Sequence, residues 1–483
     1  MKYSVFLGMA FFVSLQSQAQ FNRLDSVSVN TLEQFILNEK ASEKMVGVSV
    51  GMIRNGEVAY LKGFGYEDSL ANIAATESTM YRLASVSKSV TGLIAMRLIE
   101  KAQLDLNKDI RDYVPEYPAK AFGVITSEDL LSNESGVIHY SGSGNCTEPY
   151  NVTYRNSYIA SHTNSYDPIA AIGIFKDQKT CFVPGSQYQY TTWGFCLMGA
   201  VLQRAASKSF DSLLQDEIVC PLNLPSLQIE YQSKKPYPHQ AEGYRISGGQ
   251  VALADTNSTD YKDISYKVPG GGMISSVIDL TLLMQGLVNR KLLADSTLKL
   301  FGTRHTPTNG TPSYYGYGTS TNFRNGDTLF WHSGSQEKTA TLIYYSPENK
   351  NGVVIMSNTK GAGLFPLARL IYDYLPNSTL QGTKYPTPTT PSPCSGIGLP
   401  EPKDLSLLKV TPNPSNGTFR LETEQSLKNV NLSIYDNTGK QIYHEFYNHF
   451  DSLRLTLKLT QGIYTIDLQT QDGFNQTEKL VIQ

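Results

Sequence analysis

Apolar residues along this chain change their spacing in blocks, and each change marks an element. Residues 30–45 carry the spacing of an amphipathic helix, and residues 46–53 and 57–65 flank Asn55-Gly56, which predicts a β-hairpin closed by an Asn-Gly turn. Within the apolar-periodic stretch 85–101, Val90, Leu93, Ile94 and Leu98 fall on one helical face, and residues 194–206 and 276–288 repeat that pattern. From 328 to 358 the chain returns to strand-like alternation and apolar runs, notably 341–345 and 352–356, with Pro347-Glu348-Asn349 as the turn between them. A leading hairpin, a helical middle and closing strands predict an α/β (α+β) domain: one sheet built from both ends of the segment, with helices against it.

The character changes at residues 377–404, where Pro and Thr replace large apolar groups; this predicts an extended linker. Beyond it, residues 405–483 contain short alternating strands at 419–421, 430–435, 453–457, 463–468 and 479–482, punctuated by Asn437-Thr438-Gly439 and Asp472-Gly473. A small β-sandwich fits that pattern. At the other end, Lys2, an apolar run over residues 5–15 and the small-x-small triplet Ser17-Gln18-Ala19 predict a secretory signal peptide at 1–19. That run is far short of the roughly 20 residues a membrane span needs, and no other segment is apolar enough. The mature chain is therefore expected to have no integral membrane segment.

With 40% hydrophobic and 17% charged residues, the chain has the composition of a well-cored globular protein. Its net charge of −2, with Lys and Arg scattered among acids, gives no basic stripe for nucleic acid. Five cysteines are too few for a disulfide scaffold. Cys146 and Cys181, which flank a polar insertion, are expected to form a bridge; Cys196, in an apolar helical run, reads as a buried free thiol, and Cys394 lies in the linker. There is no C-x-x-C and no H-E-x-x-H, so neither a metal nor an organic cofactor is implied.

Candidate chemistry begins at Ser85-Val86-Ser87-Lys88. Residues three apart on a helix share a face, so the Lys88 amine can reach the Ser85 hydroxyl and make it a nucleophile. The motif is not unique: Ser296-x-x-Lys299, Ser335-x-x-Lys338, Ser357-x-x-Lys360 and Ser406-x-x-Lys409 share its spacing. Lysine is charged at pH 7, so Lys88 must be desolvated or placed beside another proton-sharing group before it can act as a base.

Three ordered motifs choose among them. Arg82-Leu83-Ala84-Ser85-Val86-Ser87-Lys88-Ser89-Val90-Thr91, the block Pro184-Gly185-Ser186-Gln187-Tyr188-Gln189-Tyr190-Thr191-Thr192-Trp193-Gly194-Phe195, and His332-Ser333-Gly334-Ser335 occur in that order. Over residues 25–376 the chain thereby resembles the serine β-lactamases and penicillin-binding-protein-type hydrolases, in the class C, D,D-peptidase and esterase branch. Ser-Val-Ser-Lys-Ser, Asp112-Tyr113-Val114-Pro115-Glu116-Tyr117-Pro118, Gly136-Val137-Ile138-His139-Tyr140 and Tyr190-Thr191-Thr192 are similar to the mitochondrial serine β-lactamase-like subfamily. The resemblance implies a β-lactamase/transpeptidase-like antiparallel sheet flanked by helices.

The resemblance also implies roles: Ser85 as acylated nucleophile, Lys88 as its base, Tyr190 as proton shuttle, and the backbone N–H groups of Ser85 and Ser335 as oxyanion donors, with Gly334 permitting close approach. His332 stands where β-lactamases usually have Lys, so the site loses most of one positive charge at neutral pH, and Thr192 stands where many relatives have Asn. These departures predict an exported serine hydrolase for peptide, amide or ester substrates with weak β-lactam turnover. A D,D-carboxypeptidase or D-aminopeptidase on cell-wall peptides is the competing enzyme reading, and a catalytically weak peptide-binding or surface-assembly protein the rival from another class. Glu134, Asp279 and Gly270–Gly272 read as caps and tight turns, and loops within 141–183 as those that set the substrate. Finally, Val410-Thr411-Pro412-Asn413-Pro414-Ser415-Asn416-Gly417, residues 432–440, Leu459-Thr460-Gln461-Gly462-Ile463-Tyr464 and Lys479-Leu480-Val481-Ile482 resemble a type IX secretion C-terminal sorting domain over residues 405–483. That implies the type IX machinery as a partner, and a secreted or outer-membrane cell-surface location.

Overall fold

Strands Thr339–Tyr345 and Gly352–Ser357 are buried along their whole length, so they need cover on both faces, and their side chains divide with period two. Leu342, Tyr344, Val353 and Ile355 enter one apolar cluster, whereas Ile343, Tyr345, Val354 and Met356 enter the other. That split explains why these strands read as continuous apolar runs in the sequence. The computed structural model describes residues 21–140, 149–163, 165–231, 237–386, 408–436, 440–470 and 475–483. It divides into two compact units, 1–393 and 394–483. The expected signal peptide, Cys146, most of the linker and both turns expected at 437–439 and 472–473 lie outside the described residues.

In the first unit, β1 (Phe21–Asn22), β2 (Gly47–Arg54), β3 (Glu57–Asp68), β6 (Ser320–Arg324), β7 (Asp327–Gln336), β8 (Thr339–Tyr345) and β9 (Gly352–Ser357) form an antiparallel sheet in the order β1-β3-β2-β9-β8-β7-β6. A second small sheet pairs β4 (Met80–Arg82) with β5 (Met273–Ser276). Strands from the two ends of the segment meet through the β2–β9 pairing, from Gly352↔Ile53 to Ser357↔Val48. This is the sheet built from both chain ends that the hydrophobic pattern predicts. Helices α1 (Ser26–Ser42) and α5 (Phe365–Tyr374) cover one face, through Leu32, Ile36, Leu367 and Ile371. The other face carries α2 (Val86–Glu100) and α4 (Val277–Val288), with α3 (Thr192–Ala206) packed against α2 behind them. Among the described residues, no helix is long and apolar enough to cross a membrane.

Local signals account for most boundaries. Asn55 and Gly56 both adopt positive φ, 53° and 77°, as a tight turn between β2 and β3 requires. Helix α1 begins four residues before its expected start because the Asp25 carboxylate accepts the Ser28 N–H at 2.9 Å, an N-cap that periodicity alone does not see. Thr191 and Ser276 cap α3 and α4 in the same way. Cys196 is a buried free thiol on α3, as expected. Cys181 and Cys220 each take part in a disulfide; Cys146, the partner expected for Cys181, lies outside the described residues.

The second unit is all β. Strands β10 (Leu408–Thr411), β11 (Thr418–Tyr435), β12 (Gln441–Thr456), β13 (Gly462–Thr470) and β14 (Asn475–Ile482) pair antiparallel, with β12 and β13 on either side of β11. Two strands expected at 419–421 and 430–435 are one, because the register of β11 against β12 slips between Glu422 and Leu427 and lets the strand bend without ending. Val430, Leu432, Ile434, Ile466 and Leu468 alternate inward to form its core.

One buried ion pair fastens the strand that leads into Ser85. Arg82, on β4, forms a fork with Glu230, Nε to Oε2 at 2.7 Å and Nη2 to Oε1 at 2.8 Å, and also donates to the Asp260 and Tyr261 carbonyls. Its own carbonyl accepts the Thr339 and Thr341 hydroxyls of β8 at 2.8 and 3.0 Å. Replacing Glu230 by Ala leaves the guanidinium buried without its carboxylate. Equilibrium urea unfolding is expected to show a loss of about 3–5 kcal/mol.

Candidate active site

Ser85 sits where β4 turns into α2. The turn holds Ala84 at φ 47°, a left-handed conformation that a residue with a Cβ adopts only under local constraint. Because Ser85 precedes the first turn of α2, its N–H has no intrahelical acceptor, and among the described residues it donates to none. The side chain makes no cap bond, which leaves the hydroxyl to its neighbours.

Lys88, one turn on, is fully buried. Its Nζ lies 3.2 Å from Ser85 Oγ, 3.3 Å from Thr192 Oγ1 and 2.6 Å from the Gly270 carbonyl, with the Tyr190 ring 4.7 Å away. Among the described residues no carboxylate reaches it. Burial therefore disfavours the charged amine, and with repulsion from Lys267 it brings the pKa from 10.5 down to about 7. The uncharged amine has two hydrogens and one lone pair. It can donate to Gly270 and Thr192 while accepting from Ser85.

Tyr190 directs its phenol at the Ser85 hydroxyl, and burial holds its pKa well above the ordinary tyrosine range. The group facing Ser85 is a neutral phenol, not a phenolate. Thr192, at the start of α3, bridges inward: its hydroxyl bonds to Lys88 and to the phenol of Tyr140, and its N–H donates to His139 Nδ1 at 3.1 Å. The shorter reach of Thr in place of Asn is met by Tyr140 coming in from the other side. Burial, with Lys88 and Lys267 nearby, takes His139 down to about 3, so it is neutral and carries its proton on Nε2. Lys267 behind this layer is ion-paired to Asp260 at 2.9 Å; although burial opposes its charge, Tyr140, Tyr266 and Asp260 outweigh that and keep it protonated.

The third motif lies on β7. Gly334 is packed against the turn before α2: a Cβ built there would sit 2.3 Å from the Leu83 carbonyl oxygen and 2.9 Å from Ser85 N. Only glycine lets β7 lie so close. Ser335 is exposed beside it. The β6 ladder stops at the pair Ser320↔Trp331, so residues 332–336 have β8 on one side and no strand on the other among the described residues. His332 is buried, and its Nδ1 lies 2.7 Å from the Ser333 carbonyl, which can only accept. Nδ1 therefore carries the proton, and Nε2 accepts the Tyr315 hydroxyl at 2.8 Å. Burial and the Lys88 charge push its pKa to about 3. The ring supplies no positive charge at neutral pH.

The structure thus brings Ser85, Lys88, Tyr190, Thr192 and Gly334 together and places His332 one layer back. Sequence reasoning missed three contributors. Gly270, read as a tight turn, supplies the shortest bond to Lys88 through its carbonyl; His139 and Tyr140, visible in the sequence only as part of a motif, hold Thr192 from two sides. Asp279 is structural as expected, its carboxylate accepting the Ser226 and Leu227 N–H groups. No group of three or more His, Cys, Asp or Glu residues able to hold a metal occurs among the described residues.

Residues 32–374 match the family model described as Beta-lactamase. The chain belongs to the β-lactamase family. Residues 409–483 match a secretion system C-terminal sorting domain. Among curated relatives of this β-lactamase-family chain, Protein flp of Staphylococcus aureus (strain MRSA252) is 24% identical over 341 residues, covering 70% of this chain and 64% of that protein. The mitochondrial serine beta-lactamase-like protein LACTB of Homo sapiens is 26% identical over 288 residues, 48% of this chain and 52% of that protein. Among solved structures, EstCE1, a hydrolase with promiscuous acyltransferase activity, superposes with a TM-score of 0.60 at 21% identity, covering 72% of this chain and all of that one. At that identity the likeness shows the fold. The chain spans less than two thirds of the length of the curated relatives it matches.

Gly334 gives a direct check of how closely β7 must approach Ser85. Gly334→Val forces strand and turn apart, and the rate of fluorophosphonate labelling is expected to fall on the order of 100-fold. A folded variant, by its far-ultraviolet dichroism, that labelled at the wild-type rate would overturn the close-approach reading.

Proposed function

We propose that this chain is an exported serine hydrolase that works through an acyl-enzyme at Ser85. The observation that carries the reading is Lys88: a fully buried amine, without a carboxylate partner among the described residues, 3.2 Å from the Ser85 hydroxyl and poised near pH 7. A base whose pKa matches the working pH is the efficient one. Uncharged Lys88 takes the Ser85 proton as Oγ attacks the substrate carbonyl, and the oxyanion that forms is met by the free N–H of Ser85 and by that of Ser335 on β7. Tyr190, a neutral phenol bonded to Ser85, passes a proton to the leaving amine or alkoxide and is reprotonated from Lys88. Water then repeats the sequence on the acyl-enzyme and releases the acid. One oxyanion donor of this kind is worth about 3–4 kcal/mol.

Substrate preference follows from His332. β-Lactams carry a carboxylate close to the reacting carbonyl, and the residue that would meet it here is a neutral, buried imidazole with both nitrogens engaged. Peptide, amide or ester substrates without a charge at that point suit the site better. The sorting domain at 409–483 supports passage through type IX secretion to the cell surface or exterior.

The pH profile tests the base. Lys88 must be uncharged to act, so kcat/KM for a neutral ester is expected to rise with pH, tenfold per unit on its acid side, and to level off above about 7. Fluorophosphonate labelling of the wild type and not of Ser85→Ala is expected. Equal labelling of both would remove Ser85 as nucleophile, and labelling of neither would favour a binding protein on the same fold. A chromogenic cephalosporin turned over as fast as a matched ester would refute the substrate preference.

A further inference from the structure

Across Tyr315 from Tyr190 and His332 lies a cleft of about 790 Å³ that the mechanism does not use, with Tyr188, Arg304, Tyr314, Tyr315, Phe323 and Trp331 among the residues of its wall. Tyr315 joins the two places. Its hydroxyl holds His332, and its ring packs 6.1 Å from both Tyr188 and Tyr190. Tyr314 and Phe323 stand 63% and 69% exposed, an amount of aromatic surface that water does not favour.

Among the described residues Arg304 is the one charged side chain of the wall, and it is held in place. Its Nε donates to the Ser313 carbonyl at 3.1 Å, and its guanidinium lies 4.4 Å from the Tyr314 ring centroid. Among the described residues it has no carboxylate partner, and neither Nη is bonded. The segment that bears it folds back on itself through His305 N to Tyr315 O and Ser313 N to His305 O, and it docks on the Pro184-Gly185 loop through Thr308 N to Gly185 O at 3.0 Å. A guanidinium fixed by one bond and flanked by the rings of Tyr314 and, at 6.0 Å, Phe323, with neither Nη bonded among the described residues, is built to receive a planar anion.

The cleft opens where β6 leaves β7, at Ser320 and Trp331, and from that point the edge of β7 is unpaired as far as Ser335. Four residues of strand span about 13 Å. A β-lactam carboxylate, next to the reacting carbonyl, cannot reach across that distance; the end of an extended chain three or four residues long can. We propose that this cleft is a subsite for the distal end of an extended substrate, an aromatic side chain followed by a carboxylate, with Arg304 pairing the carboxylate and Tyr314 and Phe323 flanking the ring. The proposal deepens the hydrolase reading above and rests on it, because Ser85 marks the other end of the substrate. It returns to the substrate path, beyond the open edge of β7, the cation that His332 does not supply.

The test uses the full chain as Ser85→Ala, which binds without turnover, and two peptide pairs that differ only in charge at the distal end. One pair is N-succinyl- and N-acetyl-Phe-Ala-Ala-amide; the other is acetyl-Ala-Ala-Ala-Phe with a free carboxylate or a terminal amide. In calorimetric titration at low salt, the anionic member of at least one pair is expected to bind about tenfold tighter. That preference should vanish with Arg304→Gln and be partly kept by Arg304→Lys, both checked for folding by thermal melting. Equal binding of both members of both pairs, no binding of any peptide, or a preference that survives Arg304→Gln would each overturn the subsite. Wild-type turnover of the corresponding p-nitrophenyl ester, N-succinyl- against N-acetyl-Phe-Ala-Ala, separates the two claims: hydrolysis without charge preference in binding sinks the subsite alone, and charge-dependent binding without hydrolysis sinks the hydrolase reading alone.

Discussion

Everything in the site depends on keeping one amine dry. Among the described residues Lys88 has no carboxylate to hold its charge, so the surrounding protein decides its protonation, and it does so by exclusion of water and by the repulsion of a second buried ammonium, Lys267. Were a carboxylate placed at Lys88, the pair would be more stable and the lysine useless as a base at neutral pH. The arrangement accepts an uncompensated polar group in the core and satisfies it with two neutral oxygens, Thr192 Oγ1 and the Gly270 carbonyl. Those acceptors hold the amine in position without holding its proton.

Such a position must be rigid, and the fold supplies that from three directions. The Ala84 turn aims Ser85 outward, and the Arg82–Glu230 fork and the threonines of β8 pin the strand that feeds the turn. From the far side, β7 is drawn against the same turn by the absence of a side chain at Gly334. The small helix Val268–Gly271 brings the third wall, and Gly270 is again the point of contact: a Cβ there would meet Thr192 Cγ2 at 2.6 Å. Two glycines set how near the backbone can come to Ser85 and Lys88, while large buried residues such as Trp193 and Tyr266 fill the space behind. Local strain at Ala84 is tolerated because packing over-determines it.

What the chain reveals before folding and what it hides follow one physical line. Period-two and helical spacing expose the sheet and its covering helices, since burial selects side chains directly, and Asn55-Gly56 exposes its turn through a backbone conformation few residues adopt. Side chains brought together by fixed helical separation, Ser85 and Lys88, are legible for the same reason. A contact made through a carbonyl leaves no trace in residue type, so the part played by Gly270 could not be read from its glycine. The continuity of β11 was invisible for a related reason: between Glu422 and Leu427 the strand advances farther than its partner β12, which interrupts the period-two pattern without ending the strand, so one strand reads as two.

The third motif can lose a charge without disturbing the Ser85–Lys88 geometry. Replacing a strand lysine by His332 would weaken anion binding modestly if the imidazole stayed exposed and titrated near 6.5. Here it does not stay exposed. Tyr315 and the Ser333 carbonyl consume both nitrogens, burial drives the ring neutral, and it becomes part of the wall that orients Tyr315. Tyr315 in turn stands between the serine and the aromatic cleft. His332, which supplies no cation of its own, thus helps shape a cleft that holds one, Arg304. Ser85, Lys88 and Tyr190 need no adjustment for that change, because none of them touches Arg304 and their mutual geometry is set by α2, α3 and Gly270.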